Sequence, residues 1–146
     1  MPEFPTLWDR RTTFADARGV EYDLLCIPDL VQAKKTQRSR DWPVIELLVT
    51  IRHRENAVHP TAEHIDFWLR EARTPELLVD PCDRFPREAD VLATQRPLIQ
   101  RARQRTLDEL RAALDAEVRA EQAKDRDYWE PLRRELERYR HEQRGG

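Results

Sequence analysis

The spacing of apolar residues predicts a mostly helical chain with one short pair of strands near its start. In residues 20–26, apolar and polar side chains alternate before the run becomes wholly apolar, which is typical of a β-strand. Residues 8–14 also favour a strand, and Gly19 lies in the turn between the two segments, where it can adopt a positive φ. A hairpin of two strands is only marginally stable in water. We therefore expect it to pack on helices or to join strands supplied by something else.

Helical patterns follow from Pro28 onward. Pro28 can occupy the first turn of a helix that continues to about Gln37. Asp41 can then cap and open the next helix, with Pro43 in its first turn. This second helix is apolar over most of its circumference, so it is the best candidate for the core helix. Its apolar residues are Val44, Ile45, Leu47, Leu48, Val49 and Ile51.

Cap residues predict where the middle helices begin. Thr61 can cap a third helix, in which three apolar residues recur at i, i+3 and i+4. Those residues are Ile65, Trp68 and Leu69. Thr74, Pro75 and Glu76 combine a cap, a first-turn proline and an early acid, which predicts a short helix limited by Pro81.

The last segment, residues 101–146, is rich in Arg, Glu, Ala and Leu and carries two apolar stripes at helical spacing. The first stripe is Leu107, Leu110, Leu114 and Val118. The second stripe is Trp129, Leu132, Leu136 and Tyr139. The pattern predicts one long helix kinked at Pro131, or a helical hairpin in which the second stripe folds back onto the first. We expect the hairpin.

The predicted fold class is therefore mainly α with a small N-terminal β-hairpin (α+β), a bundle-like helical body, and a long C-terminal helix or helical hairpin. Residues 1–100 form the hairpin and the body, and residues 101–146 form a charged helical region packed on the same domain. A length of 146 residues suits one core.

Composition excludes several classes of protein. Charged residues make up 37% of the chain, and no run of 18 apolar residues occurs, so we expect no membrane association. The first residues lack the pattern of a secretory signal, which favours a cytoplasmic protein. The net charge is −2 with both signs interspersed, so nucleic-acid binding is not indicated. The two cysteines are far apart in sequence and are expected to remain free thiols.

Rare residues exclude several chemistries. Gly19 is the sole glycine before the terminal pair, which excludes a phosphate-binding loop and a dinucleotide fingerprint. Ser39 is the sole serine and lies between two arginines, so no nucleophile elbow is present. The histidines at 53, 59 and 64 lack the spacing of a zinc motif, and no metal site is predicted.

One cluster of basic residues is a candidate phosphate site. Lys34, Lys35, Arg38 and Arg40 fall within seven residues that contain no acid. Lys34 and Arg38 are four residues apart and would share a helix face, where they could hold a phosphate. The alternative is a solvated helix end whose cations interact with the helix dipole.

One pair of carboxylates is a candidate cation site. Glu21 and Asp23 alternate on the predicted second strand, so they would project to the same face. Two such carboxylates can bind Mg²⁺ together with a nucleotide phosphate. The alternative is a solvent-facing strand surface whose other face is apolar.

Residues 20–48 resemble the later half of small nucleotidyltransferase-fold proteins, relatives of the minimal nucleotidyltransferases. The resemblance rests on four segments, which are Asp23-Leu24-Leu25, Ile27-Pro28-Asp29-Leu30-Val31, Lys34-Lys35, and Arg38 with Asp41. It implies that Asp23 corresponds to the family's third-strand catalytic carboxylate. It also implies that Lys34 corresponds to the family's helix lysine, and that Arg38 and Asp41 correspond to its Arg-x-x-Asp pair, which opens the next helix.

The elements that precede this segment in the family are a Gly-Ser pair at a helix N-terminus and an Asp-x-Asp/Glu on a strand. Only Gly19 and no serine stand before Asp23 here. The resemblance therefore implies a remnant: a truncated reading frame, a split gene or a degenerate relative. We expect a non-catalytic interaction module without a cofactor, because one carboxylate cannot anchor the metals of phosphoryl transfer. Its association surfaces would be residues 8–26 or the C-terminal helices.

Two alternatives remain open. In the first, a second chain supplies the missing half and completes a split Mg²⁺-dependent nucleotidyltransferase with Asp23 in the shared site. In the second, the chain is an unrelated helical adaptor.

Overall fold

The computed structural model describes residues 3–144 and has the predicted fold class, mainly α-helical with a small N-terminal hairpin. The elements of the N-terminal half are α1 (Phe4–Asp9), β1 (Thr12–Ala15), β2 (Glu21–Leu24), α2 (Ile27–Lys34) and α3 (Trp42–Asn56). The elements of the C-terminal half are α4 (Ala62–Glu71), α5 (Pro75–Arg84), α6 (Pro86–Ala93), α7 (Leu98–Gln104) and α8 (Leu107–Arg144). Among the described residues, no helix is both long and apolar enough to cross a membrane.

The hairpin forms as predicted, but its strands are shorter than the predicted ones. It does not pack on the helices. The strands pair antiparallel, with Thr13 opposite Asp23 and Phe14 opposite Tyr22. Gly19 has a φ of 79°, as the turn requires. Every residue of both strands is exposed, and residues 4–9 form the short helix α1 instead of extending the first strand. Pro5 lies in the first turn of α1, where proline favours a helix start, a feature that the strand interpretation overlooked.

The core lies among α2 to α7 and the first turns of α8; we call residues 27–118 the body. Trp68, Leu69, Leu78 and Ile99 are all fully buried in it. The predicted pattern of α4 is confirmed, since its i, i+3, i+4 residues are all buried. The predicted caps of α4 and α5 are also confirmed, because Thr61 accepts a hydrogen bond from the backbone of His64 and Thr74 accepts one from that of Leu77.

Helix α3 is less central than its composition predicts. Ile45 and Val49 are fully buried, whereas Val44, Leu47 and Ile51 remain 38%, 58% and 37% exposed. Neighbouring helices cover one face of α3, and composition alone cannot show which face that is.

Three local predictions are wrong. Helix α2 ends at Lys34 instead of near Gln37. Asp41 directly precedes α3, but its side chain makes no capping hydrogen bond, because it accepts from Lys34 and Thr36. Pro81 lies inside α5 instead of limiting it; its ring is fully buried in the core, and its carbonyl still accepts a hydrogen bond from the backbone of Phe85 at 2.9 Å.

The expected helical hairpin at the C-terminus is also wrong. Helix α8 continues through Pro131 as one element of 38 residues. Leu110 and Leu114 of its first stripe are buried against the body, but the second stripe does not fold back. Its four side chains remain 43–58% exposed, because the body reaches that part of the helix only through the short segment 36–38, as far as the described residues go. They are Trp129, Leu132, Leu136 and Tyr139.

Candidate functional site

Asp23, the carboxylate that the resemblance implies as catalytic, lies in the middle of β2 and is engaged within the hairpin. It accepts hydrogen bonds from Thr13 Oγ1 at 2.6 Å and from Arg11 Nε at 2.9 Å. These two hydrogen bonds, with that from Thr13 the stronger influence, hold its pKa below the usual value. Glu21 stands opposite Ala15, at the far end of the same short ladder. Asp23 is thus an ionised carboxylate whose donors come from its own hairpin.

Lys34 and Lys35, two of the predicted phosphate-binding residues, are paired with carboxylates. Lys34 Nζ lies 3.1 Å from Asp41 Oδ1, while Lys35 Nζ lies 2.7 Å from Glu71 Oε1. The hydroxyl of Thr36 donates to the other oxygen of Asp41 at 2.8 Å. This hydrogen bond, followed by that from Lys34, lowers the pKa of Asp41. The two lysines therefore serve internal contacts that connect α2 to neighbouring elements.

Arg38 does not share a helix face with Lys34, because α2 ends four residues before it. That part of the phosphate-site prediction is wrong. The backbone N–H of Arg38 donates to Thr36 Oγ1 at 3.2 Å. Within residues 3–144, no carboxylate lies within ion-pair distance of its guanidinium. Arg40 likewise has no carboxylate partner there, so Arg38 and Arg40 are the two residues of the predicted basic cluster whose charges stay available to a molecule outside the chain, as far as the described residues go.

A buried ionic network near Lys35 escaped the sequence analysis. Arg73 and Arg96 both bind Glu117 of α8, and Arg73 also binds Glu71 at 3.0 Å. Arg96 further donates to two carbonyl oxygens near the end of α4, those of Leu69 and Ala72, each at 2.7 Å. The paired arginines and Glu117 are 44 and 21 positions apart in sequence, so no local motif could reveal the network.

The electrostatics of this network indicate a structural role. Burial lowers the pKa of Arg73, an effect reinforced by the charge of Arg96. Burial alone would raise the pKa of Glu117, but the hydrogen bond and charge of Arg96, with the charges of Arg73 and Lys35, outweigh it and lower that pKa. Glu117 is thus held ionised between cations. We infer that the ion pairs of this network hold α8 against α2 and α4.

A groove separates the segment 36–38 from the second half of α8. Its volume is about 450 Å³, within the usual range for ligand clefts, roughly 300–1,000 Å³. Asp125 closes one end, since it accepts from the backbone N–H of Gln37 at 2.8 Å and from Trp129 Nε1 at 3.2 Å. The other lining residues are Thr36, Arg38, Leu132, Arg133 and Leu136. The groove therefore has an apolar wall and two lining arginines, one from the segment 36–38 and one from α8, and it is the candidate site.

The N-terminal segment carries further exposed aromatic rings. In α1, Phe4 and Trp8 are 71% and 45% exposed, with ring centroids 5.8 Å apart. On the hairpin, Phe14 and Tyr22 stack at 5.2 Å and are also exposed. A single exposed apolar side chain is normal, but clustered exposed aromatics typically mark contact surfaces.

The remaining reactive side chains do not assemble into a site. No group of three or more His, Cys, Asp or Glu side chains suited to a metal ion occurs among the residues that the structure describes. Burial raises the pKa of Cys82 to about 11. Burial also raises the pKa of Cys26, together with the nearby Asp29, which accepts from its Sγ at 3.0 Å. Thiols with raised pKa values are poor nucleophiles at neutral pH.

Comparisons with known proteins give no relative from which a function could be transferred. The chain matches no protein-family model, no curated protein and no solved structure.

Proposed function

We propose that this chain is a non-catalytic protein-interaction module, a remnant related to the nucleotidyltransferase fold, and that it binds its partner through the groove beside α8. The observation that carries the proposal is the second stripe of α8. Its side chains are arranged as in a packed helix, yet they are 43–58% exposed. Leaving such a stripe in water forfeits the hydrophobic free energy that its burial would supply, which favours a partner that covers it.

The contacts of the residues predicted to act in catalysis or phosphate binding support a non-catalytic role. Asp23, Lys34 and Lys35 are all engaged by side chains of the chain itself. Their use in transfer chemistry would require breaking those contacts. Arg38, in contrast, lies beside the groove without a carboxylate partner among the described residues, so it can serve recognition of an acidic group.

The test of the interaction role compares two double variants of the full chain, each tagged and recovered from the cells that produce it. Leu132→Ser/Leu136→Ser alters the stripe, and Val58→Ser/Val91→Ser is the matched control, since both valines are exposed elsewhere at 81% and 70%. We expect the stripe variant to lose at least about tenfold of the bound protein, counting a second, differently tagged copy of the chain, and the control to retain it. Equal recovery from both variants would contradict the proposal.

The absence of catalysis has a separate test. The purified chain with Mg²⁺ and each of ATP, GTP, CTP and UTP should transfer no nucleotide, because the phosphate-binding glycines and paired aspartates of the family have no counterpart before Asp23. Turnover that survives purification and disappears in Asp23→Asn would overturn this expectation.

One observation favours the split-enzyme alternative. The hairpin pairs with no other strand among residues 3–144, and such open edges can accept strands of another chain. In that case Mg²⁺ would bind near Asp23 only in the complex. Turnover that appears when a second chain is added, and that requires Asp23, would promote this alternative.

A further inference from the structure

We infer that the groove beside α8 receives the helix α1 of a second copy of this chain. This inference rests on the proposed function, and it names the partner. The resulting contact is heterologous, because a groove on one copy meets a different surface, α1, on the other.

The apolar surfaces match in kind and in length. Trp129, Leu132 and Leu136 form the apolar wall of the groove and extend over eight residues, or about 12 Å of helix. Helix α1 has six residues, or about 9 Å, and presents Phe4 and Trp8 four residues apart on one face. A helix this short is marginal in water without packing. None of its residues is buried within its own chain.

The charges also match. Arg38 and Arg133 flank the groove, and Arg133 has as its ion-pair partner in the described chain only Glu130, at 3.8 Å. Helix α1 is bounded by two acids, Glu3 and Asp9, and neither forms an ion pair or side-chain hydrogen bond within residues 3–144. An apolar helix face between two carboxylates is complementary to an apolar wall between two guanidinium groups.

The position of α1 in its own chain favours docking onto another copy. Arg10, which directly follows α1, binds Asp29 in the first turn of α2 at 2.6 Å. The groove begins at Thr36, beyond the opposite end of α2. An approach within one chain would have to break the contact between Arg10 and Asp29, whereas a second copy can offer its α1 with that contact intact.

Such a contact has a definite consequence for assembly. Two copies can exchange both contacts and close a dimer, and further copies are recruited only if the geometry does not close. Each interface needs one intact α1 and one intact groove. A variant with an altered α1 and a variant with an altered groove should therefore associate with each other when they are mixed.

The experiment is sedimentation velocity of the full chain over a range of concentrations. The α1 variant is Phe4→Ser/Trp8→Ser, the groove variant is Leu132→Ser/Leu136→Ser, and the control is Val58→Ser/Val91→Ser. All six side chains are exposed, so circular dichroism should show an unchanged helical fold for each protein. We expect the wild type and the control to self-associate, and each of the other variants to weaken association at least about tenfold.

The decisive sample is an equimolar mixture of the α1 and groove variants. It should regain association, because the intact α1 of one variant fits the intact groove of the other. Charge reversal gives a second readout. Arg38→Glu/Arg133→Glu and Glu3→Arg/Asp9→Arg should each weaken association, and the chain that combines all four changes should recover it.

Three results would overturn the inference. The first is a wild-type chain that stays monomeric at the highest concentration. The second is an α1 variant that associates like the wild type while the groove variant does not, which would indicate pairing of two α8 stripes. The third is a mixture that fails to complement. If the stripe variant nevertheless loses bound protein from cells, the proposed function stands and only the identity of the partner is wrong.

Discussion

The two halves of α8 carry similar apolar stripes but have opposite environments. In the first half, Leu110 and Leu114 are 0% and 2% exposed because α5 and α7 pack against them. In the second half, Leu132 and Leu136 are 45% and 48% exposed. The stripes have nearly the same spacing, so the pattern specifies which side chains lie on one face of a helix and not whether anything covers that face. The first stripe stabilises the fold, and the second is available for recognition.

The largest expected effect comes from truncating one leucine in each half. Leu114→Ala should lower the free energy of unfolding by about 2–5 kcal/mol, because it opens a cavity in the core. Leu132→Ala should lower it by less than about 0.5 kcal/mol, as at an exposed site. Urea denaturation followed by circular dichroism, at a concentration where the chain is monomeric, measures both. Equal losses would show that the second stripe is packed in the monomer.

A smaller effect on the free energy of unfolding should distinguish two glutamates of α8, each of which contacts two arginines. Glu117→Gln removes a charge held by Arg73 and Arg96 in the body, and should cost about 1.5–3 kcal/mol. Glu130→Gln removes a charge that contacts Arg133 and Arg134 on the exposed half, and should cost about 0.5 kcal/mol or less. The same denaturation experiment compares them, and a Glu130 variant as costly as the Glu117 variant would contradict the contrast.

The pH dependence of the Glu117 contribution is a finer test. The pKa of Glu117 is lower in the folded chain than its ordinary value of 4.5, so the folded state favours the ionised form. The resulting stability is fully present above the unfolded pKa and is lost as the pH falls through the folded pKa. The difference in unfolding free energy between the wild type and Glu117→Gln should therefore be constant near neutral pH and shrink below about pH 4.5. A difference that grows as the pH falls would show that folding does not lower the pKa of Glu117.

The smallest effect is expected outside the body, at the hairpin. Asp23→Asn removes an acceptor that lies in an exposed hairpin and whose side-chain donors among residues 3–144 are Thr13 and Arg11. The thermal midpoint of the whole chain, followed by the circular dichroism of its helices, should stay within error of the wild type. A clear fall in the midpoint would show that the hairpin is coupled to the body more strongly than its exposure indicates.

The cluster of basic residues at 34–40 predicted a phosphate site, and the structure separates its members. Lys34 and Arg38 would share a face only if α2 continued, but Lys35 and Thr36 leave the helix to contact Glu71 and Asp41. Glu71 lies 36 residues after Lys35, so its influence could not be read from a local pattern. Arg38 ends beside the groove because Asp125, 88 residues after Gln37, holds that segment against α8.

The sequence by itself determined the local structure of this protein. Apolar periodicity and first-turn prolines located α2 to α5 and α8 but not α1, threonine caps set the starts of α4 and α5, and Gly19 set the hairpin turn, because each depends on interactions within a few residues. Only the tertiary structure decided which apolar faces are buried, which carboxylate neutralises each lysine and arginine, and where Pro81 is tolerated. Those outcomes depend on contacts between residues tens of positions apart, and burial in particular depends on whether another element reaches a face, as α5 and α7 do for Leu110 and as none in the described chain does for Leu132.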